Sequence, residues 1–179
     1  AVDAASALQI AKRAEEGVTV WTPNYWVDII VDPGEYTGAI RAERFQAFYS
    51  AGGVKGDTVI QDGSVDTQGN IYWEGIDLIP VTPELHKYPV HHAGIGTSVF
   101  ARSRLEHLGV GSHGYATAFG MDGGYGPDTT VIYDCWLGPG GLNAHGSLGS
   151  GTYPGPEHFI LANSYMQSGG GFDSWDGGT

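Results

Sequence analysis

The sequence predicts an all-β fold, a parallel β-solenoid closed at one end by an N-terminal α-helix. Three observations predict it: the composition, a single helical segment at the start, and a repeat in the second half. Glycine accounts for 30 of 179 residues, well above the average share of about 7%. Charged residues make up only 16% of the chain, where about a quarter is usual. This composition favours many strands and turns over long helices.

The charge balance argues against two classes of partner. Eight Lys and Arg residues face twenty Asp and Glu residues, which gives a formal net charge of −12. Nucleic-acid binding needs a basic surface, and an anionic membrane repels an acidic protein. We therefore expect neither nucleic acid nor membrane as a partner. The single cysteine, Cys135, excludes a disulfide within the chain.

The first segment predicts the capping helix, over residues 3–16. Asp3 is a suitable N-cap and Gly17 a suitable stop. Alanines and one leucine recur at helical spacing and predict the side that docks on the core. That stripe consists of Ala4, Ala7, Leu8, Ala11 and Ala14.

Short apolar segments after Gly17 predict strands. A turn at 32–35, with sequence DPGE, separates the first two. The predicted strands are 28–31, 37–40, 45–49 and 58–60, with further candidates at 115–119 and 142–144.

Four segments of the chain resemble one another and recur at a nearly constant spacing. Each begins with three apolar residues, followed by a variable or charged position and then a small or polar one. They cover 71–75, 99–103, 131–135 and 159–163, so their starts are 28, 32 and 28 residues apart. A repeat of about 20 to 50 residues is typical of solenoids and related arrays. Because these segments are rich in strand formers, they predict one turn each of a parallel β-solenoid.

Equivalent positions of successive solenoid turns stack, so the alignment predicts which side chains meet. Two columns are predicted to face inward and a third to form a tight or hydrogen-bonded stack. The inward columns are Ile71, Val99, Val131 and Phe159, and Trp73, Ala101, Tyr133 and Leu161; the third is Gly75, Ser103, Cys135 and Asn163.

The helix, the segment IIVDPGEY at 29–36 with Gly38 and Ile40, and the stacked strands resemble a known superfamily. It is the right-handed parallel β-helix, or pectate-lyase-like, superfamily, and the closest likeness is to its short bacteriophage virion proteins. The resemblance implies one right-handed β-helix domain over residues 1–179. The superfamily includes pectate lyases, pectin esterases, polygalacturonases and phage capsid and tail proteins, so it implies a fold more than a function.

A charged column is the candidate catalytic site. Glu74, Arg102 and Asp134 occupy the same position in three aligned segments, and His107 lies nearby in the sequence. The resemblance implies a lyase or hydrolase acting on an acidic polysaccharide. The favoured interpretation of the column is a charge-compensated surface ladder. The specific motifs of polygalacturonases and pectin esterases are not found.

Exposed aromatic residues and loop carboxylates are the candidate binding residues. The alternation along its strand predicts that the Trp136 side chain points outward, Tyr125 lies in a glycine-rich loop, and Trp175 lies in the C-terminal segment. Trp73 is expected in the core. Asp122 and Asp128 are candidate calcium ligands, and no other cofactor is predicted. Residues 170–179 are predicted either to fold over the end of the solenoid or to dock on a neighbouring molecule. Docking is favoured because Phe172 and Trp175 have no recognisable partner element in the sequence.

These patterns favour a non-catalytic structural protein of a virion, such as a capsid decoration or tail protein. Its expected partners are other virion or assembly proteins, including copies of itself, and its expected location is the virion or an extracellular surface. Two alternatives stay open, the polysaccharide lyase or hydrolase and a carbohydrate-binding β-helix module with polysaccharide as partner.

Overall fold

A computed structural model describes the chain over residues 2–19, 23–61, 65–67, 69–79, 90–93, 96–106, 119–122, 128–138, 141–145, 158–167 and 171–175. These ranges contain one α-helix, α1 (Val2–Glu15), a 3₁₀ turn (Pro23–Tyr25) and eighteen short strands. Within them, no helix has the length and apolar character that crossing a membrane requires.

The strands form three parallel sheets of six strands each. Sheet A contains β1 (Val27–Val31), β4 (Gln46–Ser50), β7 (Ile71–Glu74), β10 (Gly96–Ala101), β13 (Asp128–Tyr133) and β16 (His158–Ala162). Sheet B contains β2 (Gly34–Thr37), β5 (Thr58–Gln61), β8 (Ile76–Ile79), β11 (Arg104–Leu105), β14 (Trp136–Leu137) and β17 (Tyr165–Met166). Sheet C contains β3 (Ile40–Ala42), β6 (Val65–Thr67), β9 (Val90–Ala93), β12 (Phe119–Asp122), β15 (Gly141–His145) and β18 (Gly171–Trp175).

The chain visits the sheets in the order A, B, C six times. Each strand pairs in parallel with the strand three positions further along the chain. We call three successive strands, one from each sheet, a repeat, and number the repeats 1 to 6. The predicted mostly-β, parallel fold with one N-terminal helix is confirmed. The four similar segments of the sequence supply β7, β10, β13 and β16, which are neighbours in sheet A.

Helix α1 lies against the first repeat, but not through its predicted alanine stripe. Leu8 of that stripe is 59% exposed, whereas Ala5 and Gln9 are buried. The Gln9 side-chain amide donates to the backbone oxygens of Tyr25, Arg44 and Phe45 over 2.8–3.0 Å. The predicted docking side is therefore wrong, because the helix docks through polar bonds to the end of the repeat rather than through apolar area.

A continuous apolar column fills the interior behind sheet A. Its middle members are fully buried, and the rings of Phe48 and Trp73 lie 5.1 Å apart. The Trp73 indole also donates to the backbone oxygen of Ile76 over 2.9 Å, which confirms its core position. From repeat 1 to repeat 6 the column is Ile29, Phe48, Trp73, Phe100, Ile132 and Leu161.

The observed register agrees with the predicted alignment between β10 and β13, where Val99 pairs with Val131, but differs by one residue at the strands on either side. Val99 pairs with Tyr72 rather than Ile71, and Val131 pairs with Ile160 rather than Phe159. A slip of one residue moves every side chain of a strand to the other side of the sheet. The predicted inward positions of Val99, Val131, Ala101 and Tyr133 are therefore wrong. The inward neighbours are instead Ser98, Phe100, Thr130 and Ile132, all of them buried.

Two further strand predictions need correction. The predicted strand 37–40 spans the end of β2 and the start of β3, because Gly38 turns the chain with φ 114°. The C-terminal segment does have a partner: β18 pairs with β15, placing Phe172 beside Leu142 and Trp175 beside His145. The premise for a docking tail, that these two aromatic residues lack a partner element, is thus wrong.

Candidate binding surfaces

The outward side of sheet A is unusually apolar. In repeats 4 to 6 it carries Val99, Val131 and Ile160 in one column, and Tyr133 in the next. Tyr133 is 48% exposed and Ile160 47% exposed, and Ile30 of repeat 1 is 67% exposed. We call this surface the apolar face. It consists of Ile30, Ala47, Tyr49, Tyr72, Val99, Ala101, Val131, Tyr133, Ile160 and Ala162, with Asp28, Glu74, Thr97, Thr129 and His158 as its polar members.

A backbone corner joins sheet A to sheet B at the edge of this face. One residue with positive φ forms the corner in each of repeats 3 to 6: Gly75, Arg102, Asp134 and Asn163. Each amide of the first three donates to the carbonyl one residue before the next corner, for example Arg102 N to Tyr133 O over 3.0 Å. Gly, Asn and Asp adopt this conformation readily, which explains why small and polar residues recur here.

The predicted catalytic column is divided between two positions. Arg102 and Asp134 share the corner, but Glu74 lies one residue earlier, opposite Ala101. Glu74 forms an ion pair with Arg102 and accepts a hydrogen bond of 2.5 Å from the Tyr72 hydroxyl. These contacts match the charge-compensated ladder that is the favoured interpretation of the column.

The loop at 51–57 crosses the same corner, and we call it the strap. It leaves sheet A after β4 in repeat 2 and enters β5. Its Lys55 reaches repeat 5, where Nζ lies 3.0 Å from Asp134 Oδ2 and donates to the Asp134 backbone oxygen over 3.0 Å. The strap therefore bridges residues 79 positions apart in the chain.

Three outward side chains of sheet B form a ladder across from the strap. Arg104, Trp136 and Tyr165 are register neighbours in repeats 4 to 6. The Arg104 guanidinium carbon lies 4.3 Å from the Trp136 ring centroid, and the Trp136 and Tyr165 centroids are 5.9 Å apart at 79°. Trp136 is 37% exposed and Tyr165 61% exposed, so the outward position expected of Trp136 is observed.

Two adjoining hollows separate the strap from the ladder, and we call them together the strap groove. One, of about 300 Å³, is lined by Lys55, Gly56, Asp77, Ser103, Arg104 and Trp136. The other, of about 430 Å³, is lined by Lys55, Asp134, Cys135, Trp136, Asn163 and Tyr165. Lys55 and Trp136 thus contribute to both hollows.

The polar groups of the strap groove are held in place by their neighbours. Glu106 Oε1 lies 2.5 Å from both Nε and Nη2 of Arg104. Gly138 makes room for it, since a Cβ there would come within 2.6 Å of Glu106 Cγ. Asp77 is only 4% exposed, and its Oδ1 accepts a 2.7 Å hydrogen bond from the Arg104 amide. Burial raises the pKa of Asp77 above its ordinary value.

Cys135 lies at the base of the groove and is chemically protected. Its thiol is buried and contacts the backbone oxygens of Phe100 and Tyr133 at 3.4 and 3.3 Å. Burial raises its pKa to about 11, so the thiol is protonated at neutral pH. Ser103 and Ser164 flank it in the register and donate to backbone oxygens in the same way. The predicted hydrogen-bonded stack is thus observed at Ser103 and Cys135, with Ser164 in place of Asn163, whereas Gly75 lies at the corner, one residue before this column.

The structure describes only part of the remaining predicted site residues. His107 and Tyr125 lie outside the described residues. Asp122 ends β12, Asp128 begins β13 and Trp175 ends β18. The described ranges contain no group of three or more His, Cys, Asp or Glu side chains able to hold a metal ion.

Sequence reasoning missed Lys55, Asp77, Arg104 and Tyr165. One signal pointed to three of them: Asp77, Arg104 and Tyr165 follow a corner residue by two positions, as Trp136 does. No local pattern pointed to Lys55, since its partner lies three repeats away.

Comparison with known proteins gives no match to a family model, to a curated protein or to a solved structure. Function must therefore be inferred from the surfaces themselves.

Proposed function

We propose that this chain is a non-catalytic assembly protein, folded as a right-handed parallel β-helix, that associates with copies of itself through the apolar face. The three parallel sheets, visited in a fixed order, support the β-helix. Such a chain suits a structural component of a virion or an extracellular surface, with other assembly proteins as further partners.

The observation that carries the proposal is the extent of the apolar face. Six strands about 4.8 Å apart and five residues of about 3.3 Å per strand give the whole outward side of sheet A, its polar members included, a projected area of about 400 Å². Contiguous apolar patches beyond a few hundred Å² mark interaction sites in soluble proteins. A standard interface buries about 800 Å² per partner, so this face supplies its apolar centre and neighbouring polar residues its rim.

Charge favours a second copy as the occupant of the face. The chain carries a net charge of −12, so two copies repel each other at most orientations. The apolar face carries only two carboxylates, Asp28 and Glu74, and Glu74 is neutralised by Arg102. Contact through this face therefore keeps the repulsion between copies low.

The charge pairs also support the non-catalytic part of the proposal. Glu74, Arg102 and Asp134, three candidate catalytic residues of the alternative enzyme, are engaged in ion pairs: Glu74 with Arg102, and Asp134 with Lys55. If the alternative enzyme were correct, Arg102→Ala would abolish cleavage of polygalacturonate while leaving the fold intact. Under our proposal, wild type and Arg102→Ala both lack that cleavage.

Light scattering after size-exclusion chromatography tests the assembly. We expect an oligomer for the wild type and dissociation for Ile160→Lys and for Tyr133→Lys, since each buries a lysine in the interface. Leu8→Lys is the matched control, because Leu8 is as exposed as Ile160 but lies on α1. A monomeric wild type at all concentrations, or equal masses for all variants, would refute self-association.

A further inference from the structure

The strap groove has properties that packing alone does not require. Trp136 and Tyr165 are outward residues and contribute nothing to the interior, yet both present large rings beside an open hollow of about 430 Å³. Ligand sites in proteins are typically about 300–1,000 Å³, with aromatic walls and a few fixed polar groups. The two adjoining hollows of the groove reach this range.

The polar groups of the groove are already ordered. Arg104 is held by Glu106 on one side and by the Trp136 ring on the other. Lys55 is held by Asp134, and Asp77 by the Arg104 amide. Ordered side chains lose little conformational freedom on binding, so their hydrogen bonds to a ligand retain most of their strength.

The charges of the groove select against an anionic ligand. Two cations, Lys55 and Arg104, stand beside three carboxylates, those of Asp77, Glu106 and Asp134. Each cation is already paired, and the protein as a whole carries −12. A polyanion would be repelled by this field and would have to displace a carboxylate from each cation.

We propose that the strap groove binds an uncharged glycan, running along repeats 4 to 6. Hydroxyl groups donate to the fixed carboxylates and accept from Lys55 and Arg104, without a charge to neutralise. The apolar C–H faces of the sugar pack against Trp136 and Tyr165, whose rings combine apolar area with a polar edge. This site lies across the corner from the apolar face and is independent of self-association.

Binding to an array of neutral, uronate-containing and amino-sugar oligosaccharides tests the ligand class. We expect the wild type to retain neutral oligosaccharides only. Calorimetry with a retained oligosaccharide should give an affinity that changes less than twofold between 0.05 and 0.5 M NaCl. Retention of uronates or amino sugars with strong salt dependence would overturn the uncharged class, and no retention at all would overturn the site.

Matched tryptophan variants test the location. Trp136→Ala should weaken binding at least tenfold, and Trp136→Phe should weaken it less while preserving the ring. Trp26→Ala should bind as the wild type, because Trp26 is equally exposed, at 41%, but packs on Phe45 near α1. Equal affinities for Trp136→Ala and Trp26→Ala would place the ligand elsewhere. Circular dichroism of each variant separates lost binding from lost folding.

Discussion

The two ends of the stacked repeats are built from the same columns but are finished differently. At repeat 1, Ile29 is 5% exposed, with helix α1 packed nearby. At repeat 6, Leu161 occupies the same column and is 39% exposed. Position in the column is therefore not enough to bury a residue. A further layer must cover it, and α1 supplies that layer at one end.

The polar residues of the neighbouring column show the same contrast. Gln46, near α1, donates to Ser6 and Gln9 and accepts from the Glu43 amide. Thr130, in repeat 5 of that column, is fully buried, and its hydroxyl has no hydrogen-bond partner among the described residues. The helix thus supplies both cover and hydrogen-bond partners, for which the described residues at the other end offer no counterpart.

The sharpest test of this contrast compares two neighbours in one column. Ile132→Ala should lower the free energy of unfolding by about 2–5 kcal/mol, because Ile132 is fully buried. Leu161→Ala, one repeat further, should cost about 1 kcal/mol, because part of its side chain is already in water. Urea unfolding measures both. Equal losses would mean that repeat 6 is as well covered as repeat 5.

The cap itself is tested through its central amide. Gln9→Ala removes the bonds to three backbone oxygens and to the Gln46 side chain, and should cost about 1–3 kcal/mol. Leu8→Ala, its exposed neighbour on α1, should change stability by less than about 0.5 kcal/mol. If the two variants unfold at the same urea concentration, α1 does not close the stack through Gln9.

The contrast predicts a stabilising substitution at the less protected end. Thr130→Val replaces a buried hydroxyl without a partner by a methyl group of similar shape, and should stabilise the protein by about 1 kcal/mol. Ser98→Ala is the comparison, since the Ser98 hydroxyl accepts from the Ile71 amide over 3.3 Å. The thermal unfolding temperature should rise for Thr130→Val and fall for Ser98→Ala. A fall for both variants would show that Thr130 has a partner.

The sequence was sufficient for the helix, the repeat and the parallel strands, but not for the register. Repeats are visible because each begins with an apolar run that supplies a strand of sheet A, as at 71–73, 99–101 and 131–133. The register of a strand is predicted from the alternation of inward apolar and outward polar residues, and sheet A lacks that alternation. Its inward Ser98 and Thr130 are polar, while its outward Val99 and Val131 are apolar. The apolar face, for which we propose a role in assembly, is thus the feature that concealed the register. The strap groove was hidden for another reason, since Lys55 and Asp134 meet only in the folded chain.

The comparison between the two ends extends to a charged group, Asp77, in the column of sheet B that contains the ladder. Exposure rises along it from Asp77 in repeat 3, at 4%, to Tyr165 in repeat 6, at 61%. Burial raises the pKa of Asp77 in the folded protein, so the folded state holds this proton more tightly than the unfolded state. Its contribution to stability is therefore present at acid pH and is lost as pH rises through the raised pKa.

Asp77→Asn tests the sign of this pH dependence, because asparagine is nearly isosteric with aspartate and still accepts a hydrogen bond from the Arg104 amide. The variant should be more stable than the wild type at pH 7, and its advantage should shrink as pH falls through the raised pKa towards the ordinary value of 3.8. Urea unfolding at a series of pH values measures the difference, in which the other carboxylates cancel. The effect should be small, because the Arg104 amide already favours the carboxylate. An advantage that grows towards acid pH would mean that the amide outweighs burial, and that the column protects Asp77 from water less than its exposure indicates.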